Sequence, residues 1–128
     1  MAFFRKITVN GKTFEWRFSV DNYDWQLPSH LVFRAPERKL KIILYFIPDD
    51  NGKSVQIGKC PFQTGLRAFR EGEVVLINLN QPRFVAELLQ YLLEERLKPE
   101  ETGTVTFSDG KEILRLLGYT FQYFLTEV

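Results

Sequence analysis

A strict alternation of apolar and polar side chains is the feature that most constrains the fold of this chain. Over positions 13–20, one set of alternate residues is large and apolar, namely Phe14, Trp16, Phe18 and Val20. A period of two is typical of a strand with one buried face and one wet face. Asn10-Gly11 precedes this run and favours a tight hairpin, because both residues tolerate positive φ. The chain is therefore predicted to open with a hairpin whose first strand is Phe3–Val9.

A second hairpin is predicted from Leu31–Ala35 and Lys39–Ile47, which Pro36-Glu37-Arg38 connects. The later strand is apolar on both of its faces, with one face made of Leu40, Ile42, Leu44 and Phe46 and the other of Ile43, Tyr45 and Ile47. A strand that is buried on both sides belongs at the centre of a sheet.

The second half of the chain mixes helices with strands. It is predicted to contain a strand at Glu73–Leu79, a helix at Gln81–Leu97 capped by Asn80, and a strand at Thr104–Phe107. A second helix, capped by Ser108, is predicted to run through Leu117 and to be closed by Gly118, before a final strand at Tyr119–Leu125. Segregated strands and helices favour an α+β fold. We expect a mainly antiparallel twisted sheet of about five to seven strands, with both helices packed mainly on one face. Residues 1–128 are expected to form a single domain.

Composition narrows the classes of function. Twelve Phe, five Tyr and two Trp supply enough core volume to fold without a metal or a cofactor, and we predict neither. A net charge of +1 argues against a protein dominated by phosphate contacts. A single cysteine favours a reducing compartment, and no apolar run reaches the roughly 18 residues of a membrane span. The predicted location is cytoplasmic, away from the membrane.

The residue types that most often carry catalysis are scarce. His30 is the only histidine and Cys60 the only cysteine, so one chain cannot supply a four-ligand zinc site of nitrogen and sulfur. His30 has no Gly-x-Ser-x-Gly partner motif, and a lone cysteine more often packs in a core than reacts. We assign no catalytic residue and favour a non-enzymatic binding module that acts through a protein–protein surface. A small-ligand pocket or a dispersed active site, built on His30, Cys60 or a buried carboxylate, stays open as an alternative.

Aromatic residues with polar tips suggest where a protein partner, or a second copy of the chain, would bind. Tyr23 and Trp25 lie in a predicted loop, and Tyr123 lies in the final strand. Tyr and Trp are favoured at protein interfaces because they combine an apolar body with a hydrogen-bonding group. These three residues are the candidate interaction surface.

A basic and aromatic surface is the alternative, and it would bind nucleic acid. Phe62 and Phe69 provide rings on which bases stack, and basic side chains hold phosphates. The candidate cations are Arg34, Arg38, Lys39, Lys41, Arg67 and Arg70. This hypothesis predicts that the six converge on one face.

The opening hairpin, from Arg5-Lys6-Ile7-Thr8-Val9-Asn10-Gly11 to Phe14-Glu15-Trp16-Arg17, resembles the start of a group of small bacterial proteins of unknown activity. Those proteins begin with a basic–Ile–x–Val–Asn/Asp–Gly hairpin followed by an aromatic–x–Trp–Arg run. The segment from Val75 to Pro82 is also similar to theirs. The resemblance implies a small cytoplasmic bacterial protein and assigns no catalytic residue.

Overall fold

The computed structural model describes residues 4–19, 29–46 and 66–121. In chain order its elements are β1 (Arg5–Val9), β2 (Lys12–Ser19), β3 (Ser29–Ala35), a 3-10 turn (Pro36–Arg38), β4 (Leu40–Phe46), β5 (Leu66–Arg70), β6 (Glu73–Ile77), α1 (Pro82–Tyr91), a π-helical turn (Leu92–Arg96), β7 (Gly103–Phe107), α2 (Gly110–Leu116) and β8 (Thr120–Phe121). The strands form a five-stranded sheet of order β1-β2-β3-β4-β7 and a three-stranded sheet of order β6-β5-β8. The predicted α+β class is confirmed.

The first hairpin forms where the alternation and the Asn-Gly pair place it. Asn10 and Gly11 have φ values of 54° and 77°, and Val9 pairs with Lys12 on either side of them. Phe14 and Trp16 are each only 1% exposed. Turn chemistry and the period-two pattern therefore specify the same register.

β4 is a central strand, as its two apolar faces predict. It pairs antiparallel with β3 on one side and parallel with β7 on the other. The main sheet is therefore mixed rather than purely antiparallel. A parallel neighbour needs a crossover connection, and α1 lies in the chain between β4 and β7.

The helices begin one residue later than predicted. α1 has Gln81 rather than Asn80 at its N-cap, because the Asn78 side chain accepts the backbone N–H of Asn80 at 2.9 Å and forms a turn before the helix. The N-cap of α2 is Asp109 rather than Ser108. Neither N-cap side chain makes a capping hydrogen bond.

The helix ends follow two different mechanisms. The predicted helix to Leu97 is α-helical only to Tyr91, and it ends in a π turn in which the Leu97 N–H donates to the Leu92 carbonyl at 3.0 Å. Gly118 closes α2 with a φ of 104°, as predicted, and the Tyr119 N–H donates to the Leu114 carbonyl at 3.1 Å.

Both helices pack on one face of the five-stranded sheet, which we call the inner face; the opposite side is the outer face. The inner face carries the largest buried side chains, including Phe14, Trp16, Phe33, Ile42 and Leu44. Buried residues of α1 and α2 join the same core cluster. Within the described residues, no helix is long and apolar enough to cross a membrane.

Candidate functional site

A row of five residues crosses the outer face of the five-stranded sheet. Strand register sets Lys6 beside Glu15, Glu15 beside Arg34, Arg34 beside Lys41, and Lys41 beside Thr104. We call these five residues the cationic row. All except the half-buried Glu15 are exposed. Strand pairing thus brings together basic side chains that are far apart in sequence.

Aromatic rings also lie on the outer face. The Phe4 ring is contacted by two guanidinium groups, with the Arg34 Cζ 3.7 Å and the Arg17 Cζ 4.9 Å from its centroid. His30 and Tyr45 are register partners on the outer face, and their ring centroids are 5.2 Å apart. The outer face therefore combines cations with half-buried aromatic groups.

The outer face concentrates positive charge. Its described strand positions hold four basic side chains, Lys6, Arg17, Arg34 and Lys41, and one carboxylate, Glu15. Four minus one gives +3 for this face, against +1 for the whole chain. Lys6, Arg34 and Lys41 are exposed and Arg17 is half-buried, so this near-neutral protein carries a local excess of positive charge on the outer face.

A cleft of about 420 Å³, open to solvent, lies along the cationic row and includes every residue of the row except Lys6. Its lining residues come from four strands and the 3-10 turn, and they are Glu15, Arg34, Pro36, Lys39, Leu40, Lys41, Gly103 and Thr104. Arg34 Nε donates to Glu15 Oε1 at 2.6 Å. This ion pair orients the guanidinium, and it engages only one of the three guanidinium nitrogens.

Lys39 reaches the cleft from an unusual backbone conformation. Its φ of 53° and ψ of 43° lie in the left-handed region, which favours glycine. Two backbone hydrogen bonds hold it there. The Lys39 N–H donates to the Pro36 carbonyl at 3.1 Å, and the Gly103 N–H donates to the Lys39 carbonyl at 2.7 Å.

Of the six cations proposed for nucleic-acid binding, three line this cleft: Arg34, Lys39 and Lys41. Arg38 turns toward the inner side, where its Nη2 donates to the Pro99 carbonyl at 2.9 Å and its guanidinium lies 6.0 Å from the Phe14 ring centroid. Arg70 packs against α1, as described below. The side chain of Arg67 lies outside the described residues. The described residues therefore do not show the predicted convergence of all six cations on one face.

The candidate interaction residues Tyr23, Trp25 and Tyr123 lie outside the described residues, as does Cys60, so a protein contact through them stays a prediction. Sequence reasoning missed other members of the outer face, namely Lys6, Arg17 and Thr104. The alternation in β2 was a usable signal for Arg17, because it places Glu15 and Arg17 together on the wet face. The position of Thr104 depends on the parallel pairing of β7 with β4, for which the sequence carries no local signal.

A second polar cluster ties the three-stranded sheet to α1. Glu87 accepts two hydrogen bonds from Arg70, at 2.9 and 3.2 Å, and a third from the Tyr119 hydroxyl at 2.9 Å. The Arg70 guanidinium also lies 4.2 Å from the Tyr119 ring centroid. Its hydrogen bonding to Glu87 raises the pKa of Arg70, so the guanidinium keeps its charge. Because every strong donor in this cluster is paired internally, we interpret it as structural.

The Tyr119 hydroxyl makes the stability that this cluster contributes depend on pH. Burial, followed by the hydrogen bond to Glu87, raises the pKa of Tyr119 from 10.0 to about 12. Below pH 10 the hydroxyl is protonated in both the folded and the unfolded chain, so its full contribution to stability is present. As pH rises from 10 to 12 the unfolded chain ionises first, and that contribution is lost.

We therefore expect Tyr119→Phe to be less destabilising at high pH than at neutral pH. The difference in the free energy of unfolding between wild type and variant should shrink by about 2 kcal/mol between about pH 9 and pH 12. Urea unfolding at a series of pH values measures it. A difference that stays constant over this range would show that the hydroxyl titrates normally.

Within the described residues, no group of three or more His, Cys, Asp or Glu side chains is placed to hold a metal ion. Comparisons of the chain with protein-family models, curated proteins and solved structures found no match. The chemistry of the outer face is thus the main guide to function.

Proposed function

We propose that this protein is a non-enzymatic module that binds single-stranded nucleic acid on the outer face of its five-stranded sheet. The cationic row is the observation that carries this proposal, because it sets Arg34 directly opposite Lys41 on an exposed surface. Lys and Arg side chains hold phosphates, and each phosphate contact releases a counterion from the nucleic acid. The outer face therefore has the positive charge that phosphate binding needs, although the chain as a whole is nearly neutral.

The aromatic groups favour a single strand over a duplex. Unstacked bases can stack on aromatic rings, and His30 and Tyr45 lie together on this face. A duplex offers its bases only through its grooves. Five strands spaced about 4.8 Å apart are about 19 Å wide, whereas the major groove of DNA is about 12 Å wide. The sheet face is therefore too broad to enter that groove.

Salt dependence tests the proposal most simply. If about four basic side chains of the outer face contact phosphates, the logarithm of the binding constant should fall with the logarithm of salt concentration with a slope of about −3. Replacing two of these side chains together, as Arg34→Gln and Lys41→Ala, should reduce that slope by about 1.4 and weaken binding about twentyfold at roughly 0.1 M salt. Fluorescence anisotropy with a labelled single-stranded oligonucleotide gives both quantities.

Arg115→Ala is the control, because Arg115 lies on α2 and pairs with Glu112 at 2.6 Å, away from the outer face. This variant should bind like wild type. Thermal unfolding of each variant establishes that its fold is intact. Wild-type binding by the double variant, or no oligonucleotide binding by the wild-type protein at low salt, would contradict the proposal.

A further inference from the structure

We propose that the cleft along the cationic row, beside the 3-10 turn, binds a phosphate monoester, namely the phosphorylated end of the nucleic-acid strand that the outer face holds. This inference rests on the proposed function and specifies its ligand. A terminal phosphate and an internal phosphodiester share their oxygen chemistry, but they differ in charge and in position along the strand. The difference in charge favours the terminal group.

The charge of the cleft matches that of a monoester. Three cations line it, Arg34, Lys39 and Lys41, together with one carboxylate, Glu15, which gives a net charge of +2. A phosphate monoester carries about −1.5 to −2 near neutral pH. An internal phosphodiester carries a single negative charge, so it would leave half of this positive charge uncompensated.

The hydrogen-bond donors of the cleft are suitably arranged for several phosphate oxygens. Glu15 engages Arg34 through Nε, and the Phe4 ring lies 3.7 Å from the guanidinium carbon, so the guanidinium plane is fixed from two sides. The two terminal nitrogens of Arg34 can then donate to phosphate oxygens. Lys41 and the hydroxyl-bearing Thr104 are register partners on the same lining. A fixed guanidinium with neighbouring donors is the arrangement that recognises phosphate well.

Lys39 supplies an independent observation. A lysine in the left-handed region is less favourable than a glycine would be, and such strain tends to occur where function requires a particular side chain. Hydrogen bonds to Pro36 and from Gly103 hold this backbone in place. Lys39 directly follows the 3-10 turn, at the boundary of the outer face.

Three versions of one labelled single-stranded oligonucleotide test the inference: unphosphorylated, 5′-phosphorylated and 3′-phosphorylated. Wild-type protein should bind one phosphorylated version about tenfold more tightly than the unphosphorylated one. Lys39→Gly should remove that preference and change the affinity for the unphosphorylated version by no more than about threefold. Because glycine suits the left-handed backbone, this variant should keep its melting temperature within about 3 °C of wild type. Arg115→Ala should retain the preference.

The possible failures are distinguishable. If the wild-type protein binds all three oligonucleotides equally, the terminal-phosphate site is wrong and the proposed function stands. A preference that survives in Lys39→Gly would also overturn the site. If no oligonucleotide binds, the proposed function and the inference that rests on it both fail.

Discussion

Replacing Glu87 with alanine is expected to lower the free energy of unfolding by about 3 kcal/mol. Glu87 accepts both hydrogen bonds of Arg70 and the hydrogen bond of Tyr119. Tyr119 is only 2% exposed, so its hydroxyl would lose its partner in a place that water scarcely reaches. The Arg70 and Glu87 side chains are each 33% exposed, and solvent screening keeps the expected loss at the lower end of the range for broken buried pairs.

Chemical denaturation followed by circular dichroism measures this loss. The matched control is Glu112→Ala, which also removes a glutamate from an arginine ion pair, but one in which Glu112 is 62% exposed. An exposed pair three residues apart on a helix contributes about 0.5 kcal/mol or less. If the two variants lost similar amounts, the cluster around Glu87 would not hold the three-stranded sheet to α1.

Replacing Gly110 with alanine is expected to destabilise the protein by about 3 kcal/mol, although Gly-to-Ala changes in helices usually stabilise. A Cβ at Gly110 would lie 2.5 Å from two ring carbons of Phe46 and 2.9 Å from the Tyr45 carbonyl oxygen. Phe46 is 3% exposed and also packs edge-on against Phe18, so its ring has little room to move. The Tyr45 carbonyl belongs to the backbone of β4, the central strand.

A double-mutant cycle separates this clash from other effects. Phe46→Leu removes the ring atoms that the new Cβ would meet, so the Gly110→Ala/Phe46→Leu protein should lose less stability than the sum of the two single variants. Strict additivity, or a Gly110→Ala protein as stable as wild type, would show that α2 does not pack this closely on β4.

The first half of the fold was predictable because local pattern and tertiary environment agree there. In β2 the apolar positions of the alternation become the buried inner face, and in β4 two apolar faces correspond to a central position in the sheet. The Asn10-Gly11 turn sets the register of the first hairpin without help from distant residues. Where local propensity and tertiary packing favour the same structure, that structure can be predicted from the sequence.

The strand pairing and the N-cap that the sequence did not predict depend on contacts outside the segments concerned. The parallel pairing of β7 with β4 follows from where α1 crosses the sheet, and no residue in 103–107 encodes it. The N-cap of α1 is Gln81 rather than Asn80, because the backbone N–H of Asn80 donates to the Asn78 side chain in a turn before the helix. The sequence of β7 alone does not specify its pairing, and the sequence of α1 alone does not specify its N-cap.

The candidate site was predictable only in part, for a related reason. Arg34 and Lys41 were recognised as basic residues of one hairpin, and their pairing follows from its register. Arg38 and Lys39 are neighbours in sequence, yet Lys39 lines the cleft whereas Arg38 donates to the Pro99 carbonyl. Arg70 is basic but is committed to Glu87. Composition identifies cations, and only the fold separates those that face solvent from those that hold the structure.

Nuclear magnetic resonance mapping of a single-stranded oligonucleotide tests the central claim most directly. On titration, we expect the largest backbone amide shifts at outer-face residues such as Lys6, Arg34, Lys41 and Thr104, reversed by added salt. Largest shifts at α2 or β6 instead, or no shifts at low salt, would contradict the claim that the outer face is the binding surface of this protein.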